Sequence, residues 1–298
     1  MNLPASIHAR LRNLAHAENR HFEEVLQLFV MERFLYRLAQ SSYSDRFLLK
    51  GALVFLAWRG KADRPTQDVD LLGRLRNDLP TIRTALQEVC SVVCEEDALT
   101  FQLQGLSENT RDHTYHGIRA IIRANLERTR VIFKVDIGFG DPVTPAASES
   151  SFPTLLPMPA PRLLLYTKET VVAEKLHAIA QFGVLNSRLK DYYDLWLLSQ
   201  TESFEGAALV TAICSTFGCR GEPVLAELPG LSDRYLANPR AASAWQALAA
   251  RSHLRDVPAD LPSALQVIRS FAVPVLTAID TGQPFADVWL HPGPWRPQ

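Results

Sequence analysis

Three aspartates have the type and spacing to place carboxylates together on one sheet. Asp68 and Asp70 lie two residues apart in the sequence RPTQDVDLLG, where Val69 and Leu71 alternate with them. Alternate side chains of a strand share a face, so the two acids project together while the apolar residues point to a core. Asp136 lies in a second alternating segment, TRVIFKVDIGFG, on the face opposite its valines. If the two strands are neighbours, all three carboxylates converge.

Such a cluster needs a cation, because like charges held this close raise each other's pKa. Oxygen-only ligation suits Mg²⁺, and two metal ions can bridge three carboxylates and the phosphates of a nucleotide. There they neutralise developing charge and lower the pKa of an attacking hydroxyl. The alternative for Asp68 and Asp70 is a solvated acidic pair near a turn, although apolar neighbours fit a fully exposed strand poorly. Asp136 by itself is equally well a solvent-facing charge.

Hydrophobic periodicity predicts the elements that must position these acids. The first forty residues and the segment DLPTIRTALQEVC have helical spacing, and Arg33 and Arg37 share one helix face. Within RFLLKGALVFLAW, Lys50 and Gly51 are expected to form a short turn that opens a buried helix. TQDVDLL, HGIRAIIRANL and TRVIFKVDIGFG are strand-like. The predicted order is helix, glycine turn, helix, strand with Asp-x-Asp, and a later strand with the third acid.

A proline-rich segment divides the chain. Six prolines lie between residues 142 and 161, and they are expected to prevent regular structure. The sequence therefore predicts a lobe over 1–142, a connection over 143–162 and a helical lobe over 163–298 that completes the active site. In the last lobe Val172, Leu176 and Ile179 form the core stripe, and His177 is expected on the helix surface. The fold class is α+β, a mixed sheet with flanking helices followed by a helix-rich lobe.

Composition excludes several classes of protein. The chain has 298 residues, 47% hydrophobic and 21% charged, with a formal net charge of -1, so no global field recruits nucleic acid. No apolar run is expected to span a bilayer, and the N-terminus lacks the apolar region of a signal peptide, which predicts a cytoplasmic protein. Any contact with RNA must come from a local patch. One candidate is a group of arginines that are either ordinary surface charges or a stripe for an RNA backbone: Arg111, Arg119, Arg123, Arg128 and Arg130.

Four ordered motifs resemble a known family. KGALVF with RPTQDVDLLG resembles the glycine turn and Asp-x-Asp strand of the polymerase-β-type nucleotidyltransferase fold. KVDIGFGD, AEKLHAI and NSRLKDYYDL are similar to the AbiEii toxin family, the nucleotidyltransferase-like toxins of AbiE-type (type IV) toxin–antitoxin systems. The resemblance runs from about Arg33 to Leu198. The family pattern has Gly-Gly or Gly-Ser where this chain has Gly51-Ala52, which removes one hydroxyl contact to phosphate.

The resemblance implies a role for each matching residue. Asp68 and Asp70 would be Mg²⁺ ligands, with Asp136 as the third ligand or as the base for the acceptor hydroxyl. Lys175 would neutralise the triphosphate. The late acidic residue would be Asp191, with Asp194 as the competing candidate. Contacts to the nucleotide or to substrate RNA are implied for Lys50, Gly51, Arg64, Thr66, Arg188 and Lys190.

Simpler interpretations of the later residues stay open. Lys175 lies off the core stripe, so it is equally well a surface lysine paired with Glu174. Lys190 and Asp194 are four residues apart and equally well form a helix salt bridge, which contributes about a few tenths of a kcal/mol.

The resemblance predicts a Mg²⁺-dependent toxin that transfers a nucleotide from an NTP to RNA, at the 3′ end of tRNA, and so blocks translation. It also implies a cognate antitoxin encoded nearby, with or without direct binding, and no membrane partner. Two alternatives remain: transfer to a small molecule or a protein hydroxyl, and a non-catalytic nucleotide-binding module. Ala52 is the feature that keeps the second alternative open.

Overall fold

The computed structural model describes residues 2–60, 66–109, 117–251 and 257–298. The chain divides into two compact units. The first contains Met1–Gly140 and Ala147–Tyr166, and the second contains Asp141–Ala146 and Thr167–Gln298. The proline-rich segment is therefore shared between the units.

The first unit combines helices with a mixed sheet, as the sequence predicts. Its helices are α1 (Leu3–Ala17), α2 (Phe22–Gln40), α3 (Ala52–Arg59) and α4 (Leu79–Ser91). Its strands are β1 (Phe47–Lys50), β2 (Asp68–Gly73), β3 (Leu99–Asn109), β4 (Gly117–Leu126), β5 (Thr129–Phe139), β6 (Ser148–Ser151) and β7 (Arg162–Leu165). They form one seven-stranded sheet in the order β3-β4-β5-β2-β1-β7-β6. The pairs β2–β5 and β1–β7 are parallel, and the other neighbours are antiparallel.

Two of these strands correct the sequence-based expectation. The segment before Gly51 is not only a turn, because Phe47–Lys50 forms strand β1 at the centre of the sheet. Three of its four residues are buried, so its sequence shows no alternation between apolar and polar residues. The proline-rich segment also contains regular structure, since β6 forms between Pro145 and Pro153 and pairs with β7.

An ion network without solvent access ties α2 to the rest of the first unit. Asp97 accepts two hydrogen bonds from Arg37, at 2.7 and 2.9 Å, and one from Arg33 at 3.0 Å. Arg33 also donates to the carbonyl oxygen of Pro159 at 2.8 Å, and Glu32 accepts from the N–H of Leu155 at 2.7 Å. The network joins one helix face to the segment before β3 and to the proline-rich connection. The shared face of the two arginines is therefore structural.

The second unit is helical around an aromatic core. Its helices are α5 (Lys168–Phe182), α6 (Leu189–Thr201), α7 (Gly206–Cys219), α8 (Asp233–Leu236), α9 (Pro239–Arg251) and α10 (Leu261–Asp280), and its short strands are β8 (Phe204–Glu205), β9 (Val288–Trp289) and β10 (Trp295–Arg296). The predicted stripe on α5 is buried. Phe271 of α10 packs against Trp289 and stacks on Trp295.

The length and composition of α10 alone would allow it to cross a membrane, and it is the one helix of the described residues that passes this test. The expectation that no segment has the necessary length was therefore too strict. In the structure, α10 buries Leu265, Ile268 and Leu276 and contacts α6, α7 and α9. This is the packing of a core helix.

Glu32 gives the first unit a pH-dependent stability. Burial raises the pKa of Glu32 from 4.5 to about 7, although the Leu155 N–H and the Arg33 guanidinium both favour its carboxylate form. The folded protein therefore binds one proton more than the unfolded chain between these two values. The free energy of unfolding falls as pH rises through that window, and the part due to Glu32 is about 3 kcal/mol.

We expect Glu32→Gln to remove this part of the pH dependence, because the amide keeps an oxygen for Leu155 and cannot ionise. The measurement is urea unfolding of wild type and variant at pH 5 and pH 7.5. Glu149→Gln is the matched control, since Glu149 is exposed and pairs with Arg162 on the surface. Equal pH dependence in wild type and Glu32→Gln would contradict the prediction.

Candidate active site

The three predicted aspartates share one face of the sheet in the first unit. Strands β2 and β5 are neighbours and run parallel, with Asp70 directly opposite Asp136 and Asp68 opposite Lys134. Asp68 precedes Asp70 by two residues, so both side chains lie on the same side of β2. All three acids are half-buried, whereas Val69 and Val135 between them are fully buried. The two strands are therefore neighbours, which is the condition that the sequence analysis set for the three acids to lie together.

A row of four charged residues crosses four strands at this point. Lys50 of β1 is paired with Asp70, Asp70 with Asp136, and Asp136 with Arg119 of β4. The order is cation, two anions, cation. Opposite charges on both sides partly offset the repulsion between the two central carboxylates.

Gly51 makes room for the Asp70 carboxylate. Its backbone has a positive φ of 69°, which glycine adopts without strain. A Cβ atom at this position would lie 2.0 Å from Oδ2 of Asp70, so any side chain would displace the acid. Gly51 also caps the N-terminus of α3, where backbone N–H groups create a positive end. The turn therefore needs glycine at position 51, while this contact places no requirement on Ala52.

The other predicted nucleotide contacts of the first unit surround the acids. Thr66 donates a hydrogen bond to the carbonyl oxygen of Asp68 at 3.2 Å and accepts one from its N–H at 3.4 Å, so it orders the start of β2. Lys50 donates to the hydroxyl of Tyr166 at 3.3 Å and lies over its ring. Arg64 lies outside the described residues.

Arg119 is part of the acid cluster, which sequence reasoning missed because it considered this arginine either as ordinary surface charge or as part of a stripe for RNA. Its Nε and Nη2 donate to Oδ1 and Oδ2 of Asp136, both at 2.6 Å. These hydrogen bonds are the main reason that the pKa of Arg119 rises, and the charges of Asp136, Asp68 and Asp70 raise it further against the effect of burial. Little in the sequence indicated this pairing, because the two-residue turn that pairs Leu126 with Thr129 lacks the glycine or asparagine usual in such turns.

The types of side chain in the cluster suit Mg²⁺, but the side chains are not arranged around an ion. The donors are carboxylate oxygens on rigid strands, which is the ligand type that Mg²⁺ prefers. Within the residues that the structure describes, no three Asp, Glu, His or Cys side chains are arranged to hold a metal ion. Asp136 instead holds the guanidinium of Arg119.

Beyond the acids, the same face of the sheet is cationic and open. Arg123, Arg130 and Lys134 project from β4 and β5, together with Ile132, which is 62% exposed. Arg123 donates to the side-chain oxygen of Gln102 on β3. Strands β3, β4 and β5 are described in full, and Asp136 is the single carboxylate that they carry on this face.

The later predicted residues form a separate ion cluster within the second unit. Lys175 of α5 lies 3.0 Å from Oδ1 of Asp191 and 2.7 Å from Oδ2 of Asp194, both on α6. Asp191 also accepts from Nε of Arg188 at 2.9 Å. The carboxylates are buried, at 6% and 1% exposure. Lys175 is therefore an inter-helix ion-pair partner, and not the partner of Glu174 alone.

The structure decides between the two interpretations of Asp194 and corrects the expectation for His177. Asp194 is buried and pairs with Lys175, while Lys190 is exposed at the start of α6. His177 was expected on the helix surface, which is wrong, because it is 2% exposed. Burial and the neighbouring Arg220 lower the pKa of His177, and Arg220 donates to its Nδ1 at 2.8 Å. The periodicity of α5 did not reveal that α7 covers this side.

The structure was compared with solved structures and with curated proteins. Two solved structures are similar over most of their length: a candidate nucleotidyltransferase from H. pylori and JHP933 from Helicobacter pylori. The first is 14% identical with a TM-score of 0.46, covering 87% of this chain and 95% of the other; the second is 13% identical with a TM-score of 0.45, covering 85% and 90%. No curated protein matches the chain.

The family comparison is decisive because it covers most of the sequence. The family model described as "Nucleotidyl transferase AbiEii toxin, Type IV TA system" matches residues 33–271. That range contains the glycine turn, all three acids of the sheet and the Lys175 cluster. The chain belongs to the AbiEii family of nucleotidyltransferase toxins of type IV toxin–antitoxin systems.

Proposed function

We propose that this protein is a Mg²⁺-dependent enzyme of the cytoplasm that transfers a nucleotide from an NTP to RNA, at the 3′ end of tRNA, and so blocks translation. The observation that carries the proposal is the pairing of Asp70 with Asp136 across parallel strands, with Asp68 on the same face. The family supplies the reaction class and implies a cognate antitoxin.

In this proposal Asp68, Asp70 and Asp136 hold the metal ion. When bound, Mg²⁺ neutralises charge on the phosphate oxygens and lowers the pKa of the attacking hydroxyl. In the alternative role, Asp136 would be the base that accepts the proton of the acceptor hydroxyl. The acceptor oxygen forms a bond to the α-phosphorus, the bond from that phosphorus to the bridging oxygen breaks, and pyrophosphate leaves. The backbone N–H groups that follow Gly51 suit a phosphate without any hydroxyl from residue 52.

Lys175 is proposed to contact the triphosphate, and its ion pairs determine the position of its ammonium group. Asp191 and Asp194 hold the ammonium group between α5 and α6. Both late acids would then act as positioning residues for Lys175, with Arg188 sharing Asp191. Contact with the nucleotide requires Lys175 to exchange a carboxylate oxygen for a phosphate oxygen. Exposed Lys190 and Arg188 are proposed to meet substrate RNA.

The cationic sheet face supports RNA as the acceptor. Arg123, Arg130 and Lys134 lie on the strands that carry Asp136 and Arg119, so a phosphate backbone bound there leads to the acids. Cations of this kind bind phosphates in a salt-dependent way and without sequence preference. Exposed Ile132 offers an apolar contact to an unstacked base.

The direct test is transfer of labelled nucleotides from each NTP to the components of a lysate, separated into RNA, protein and small molecules. We expect wild type to label RNA, and Asp70→Asn to reduce labelling at least about a hundredfold because a metal ligand is lost. Asp45→Asn is the control, since Asp45 is exposed and pairs with Arg46 on the surface. Label confined to protein or small molecules would contradict the RNA acceptor, and no label in any fraction would contradict the enzyme itself.

The acceptor surface is tested by the triple variant Arg123→Gln/Arg130→Gln/Lys134→Gln. We expect weaker tRNA binding and a salt dependence (log K against log salt) roughly 2 less steep, because about 0.7 is lost per phosphate contact to a single strand. The measurement is fluorescence anisotropy of labelled tRNA between 50 and 200 mM salt.

A matched triple variant outside this face, Arg46→Gln/Arg76→Gln/Arg83→Gln, should keep the wild-type slope, since these arginines lie on loops and on α4. If both triple variants lose affinity equally, general charge and not this surface governs binding.

Lys175 requires a double-mutant design, because its removal leaves a buried carboxylate at Asp194 without this ammonium. We expect Lys175→Met to destabilise the protein by about 3 kcal/mol. Adding Asp194→Asn should recover much of the stability without restoring nucleotide transfer. Thermal unfolding and the labelling assay measure the two effects separately.

Lys168→Met is the control on the same helix, because Lys168 has a part-exposed contact of 3.5 Å with Glu202 and lies over the Phe204 ring, away from the two aspartates. The catalytic role of Lys175 fails if Lys175→Met/Asp194→Asn transfers nucleotides as fast as Asp194→Asn alone.

A further inference from the structure

Arg119 binds both carboxylate oxygens of Asp136, the third acid of the cluster. The two hydrogen bonds of 2.6 Å form a fork in which planar guanidinium meets planar carboxylate. The two residues are directly opposed on β4 and β5, so the strand register fixes the pair. Their side chains are 17% and 21% exposed, so water screens this contact only in part.

The Arg119 guanidinium interacts with all three acids of the cluster and not with Asp136 alone. Asp68 and Asp70 act on it electrostatically as well, in addition to the direct hydrogen bonds from Arg119 to Asp136. Lys50, the cation at the other end of the row, is directed to Tyr166. Arg119 is thus a cation already placed where the carboxylates would ligate a divalent ion.

A divalent ion at Asp136 and the guanidinium repel each other, because both are positively charged and would lie at short distance. They also compete for the same two oxygens of Asp136. An arginine released from a carboxylate is well suited to phosphate, whose oxygens match the same planar fork. A triphosphate could therefore provide the partner that Arg119 loses when metal enters. These two steps would couple metal binding to nucleotide binding.

We infer that Arg119 is an internal counter-ion that competes with the metal ion for Asp136 and passes to the phosphates of the nucleotide when metal–NTP binds. The inference rests on the proposed metal–nucleotide site. It assigns Arg119 a positioning role: metal binds weakly to the empty protein and tightly together with NTP.

The test is Mn²⁺ binding, measured by electron paramagnetic resonance of free Mn²⁺, for wild type, Arg119→Gln and Arg119→Lys. Without nucleotide, Arg119→Gln should bind Mn²⁺ about tenfold more tightly than wild type, which is within the usual range for coupled sites. Arg119→Lys should lie between them, because it keeps the charge and loses the fork. With a non-hydrolysable NTP analogue, the advantage of Arg119→Gln should disappear, since the phosphates then lack the guanidinium.

Arg162→Gln is the matched control, because Arg162 also donates two hydrogen bonds to a carboxylate, both to Oε2 of Glu149 and away from the acids. It should bind Mn²⁺ as wild type does. Equal or weaker Mn²⁺ binding by Arg119→Gln overturns the inference, and so does a lack of binding by every protein. The labelling assay on wild type decides the proposed function separately, so the two failures are distinguishable. Circular dichroism of each variant establishes that it is folded.

Discussion

The parallel pairing of β2 with β5 is the constraint on which the rest of the site depends. It sets Asp70 opposite Asp136, so two carboxylates of adjacent strands share one position on the sheet. Antiparallel neighbours on both sides then supply Lys50 and Arg119 in the same row. A shift of one residue in the β2–β5 register would turn one acid toward the core, where an unpaired charge is strongly unfavourable.

The surrounding sequence accommodates this concentration of charge. Glycine at position 51 leaves the volume that the Asp70 carboxylate occupies, and the Arg119 fork satisfies both oxygens of Asp136. The second unit uses the same device in Lys175, which holds two buried aspartates of a neighbouring helix. Asp136, Asp191 and Asp194 therefore each have a cation partner in the folded protein, and in the proposed chemistry binding of metal and nucleotide would be an exchange of these partners.

Local patterns predicted the parts of the site that lie within single elements. Alternation placed Asp68, Asp70 and Asp136 on polar strand faces, and the helical spacing of DLPTIRTALQEVC predicted α4 (Leu79–Ser91). The pairing of one strand with another left no comparable signal in the sequence. The β4–β5 turn has Glu127 at a positive φ of 54° where asparagine or glycine is usual, so the hairpin register that joins Arg119 to Asp136 was not recognised. Strand β1 was missed because central strands lack alternation, and the burial of His177 depends on the distant helix α7.

The central claim is that the three acids of the sheet form one metal–nucleotide site. A crystal structure of the wild-type protein with Mn²⁺ and a non-hydrolysable NTP analogue tests it most directly, through the anomalous signal of manganese. We expect a manganese peak ligated by Asp68, Asp70 and Asp136, with the Arg119 guanidinium moved from Asp136 to a phosphate oxygen. A peak elsewhere, or an ordered nucleotide with Arg119 still in its fork on Asp136, would contradict it.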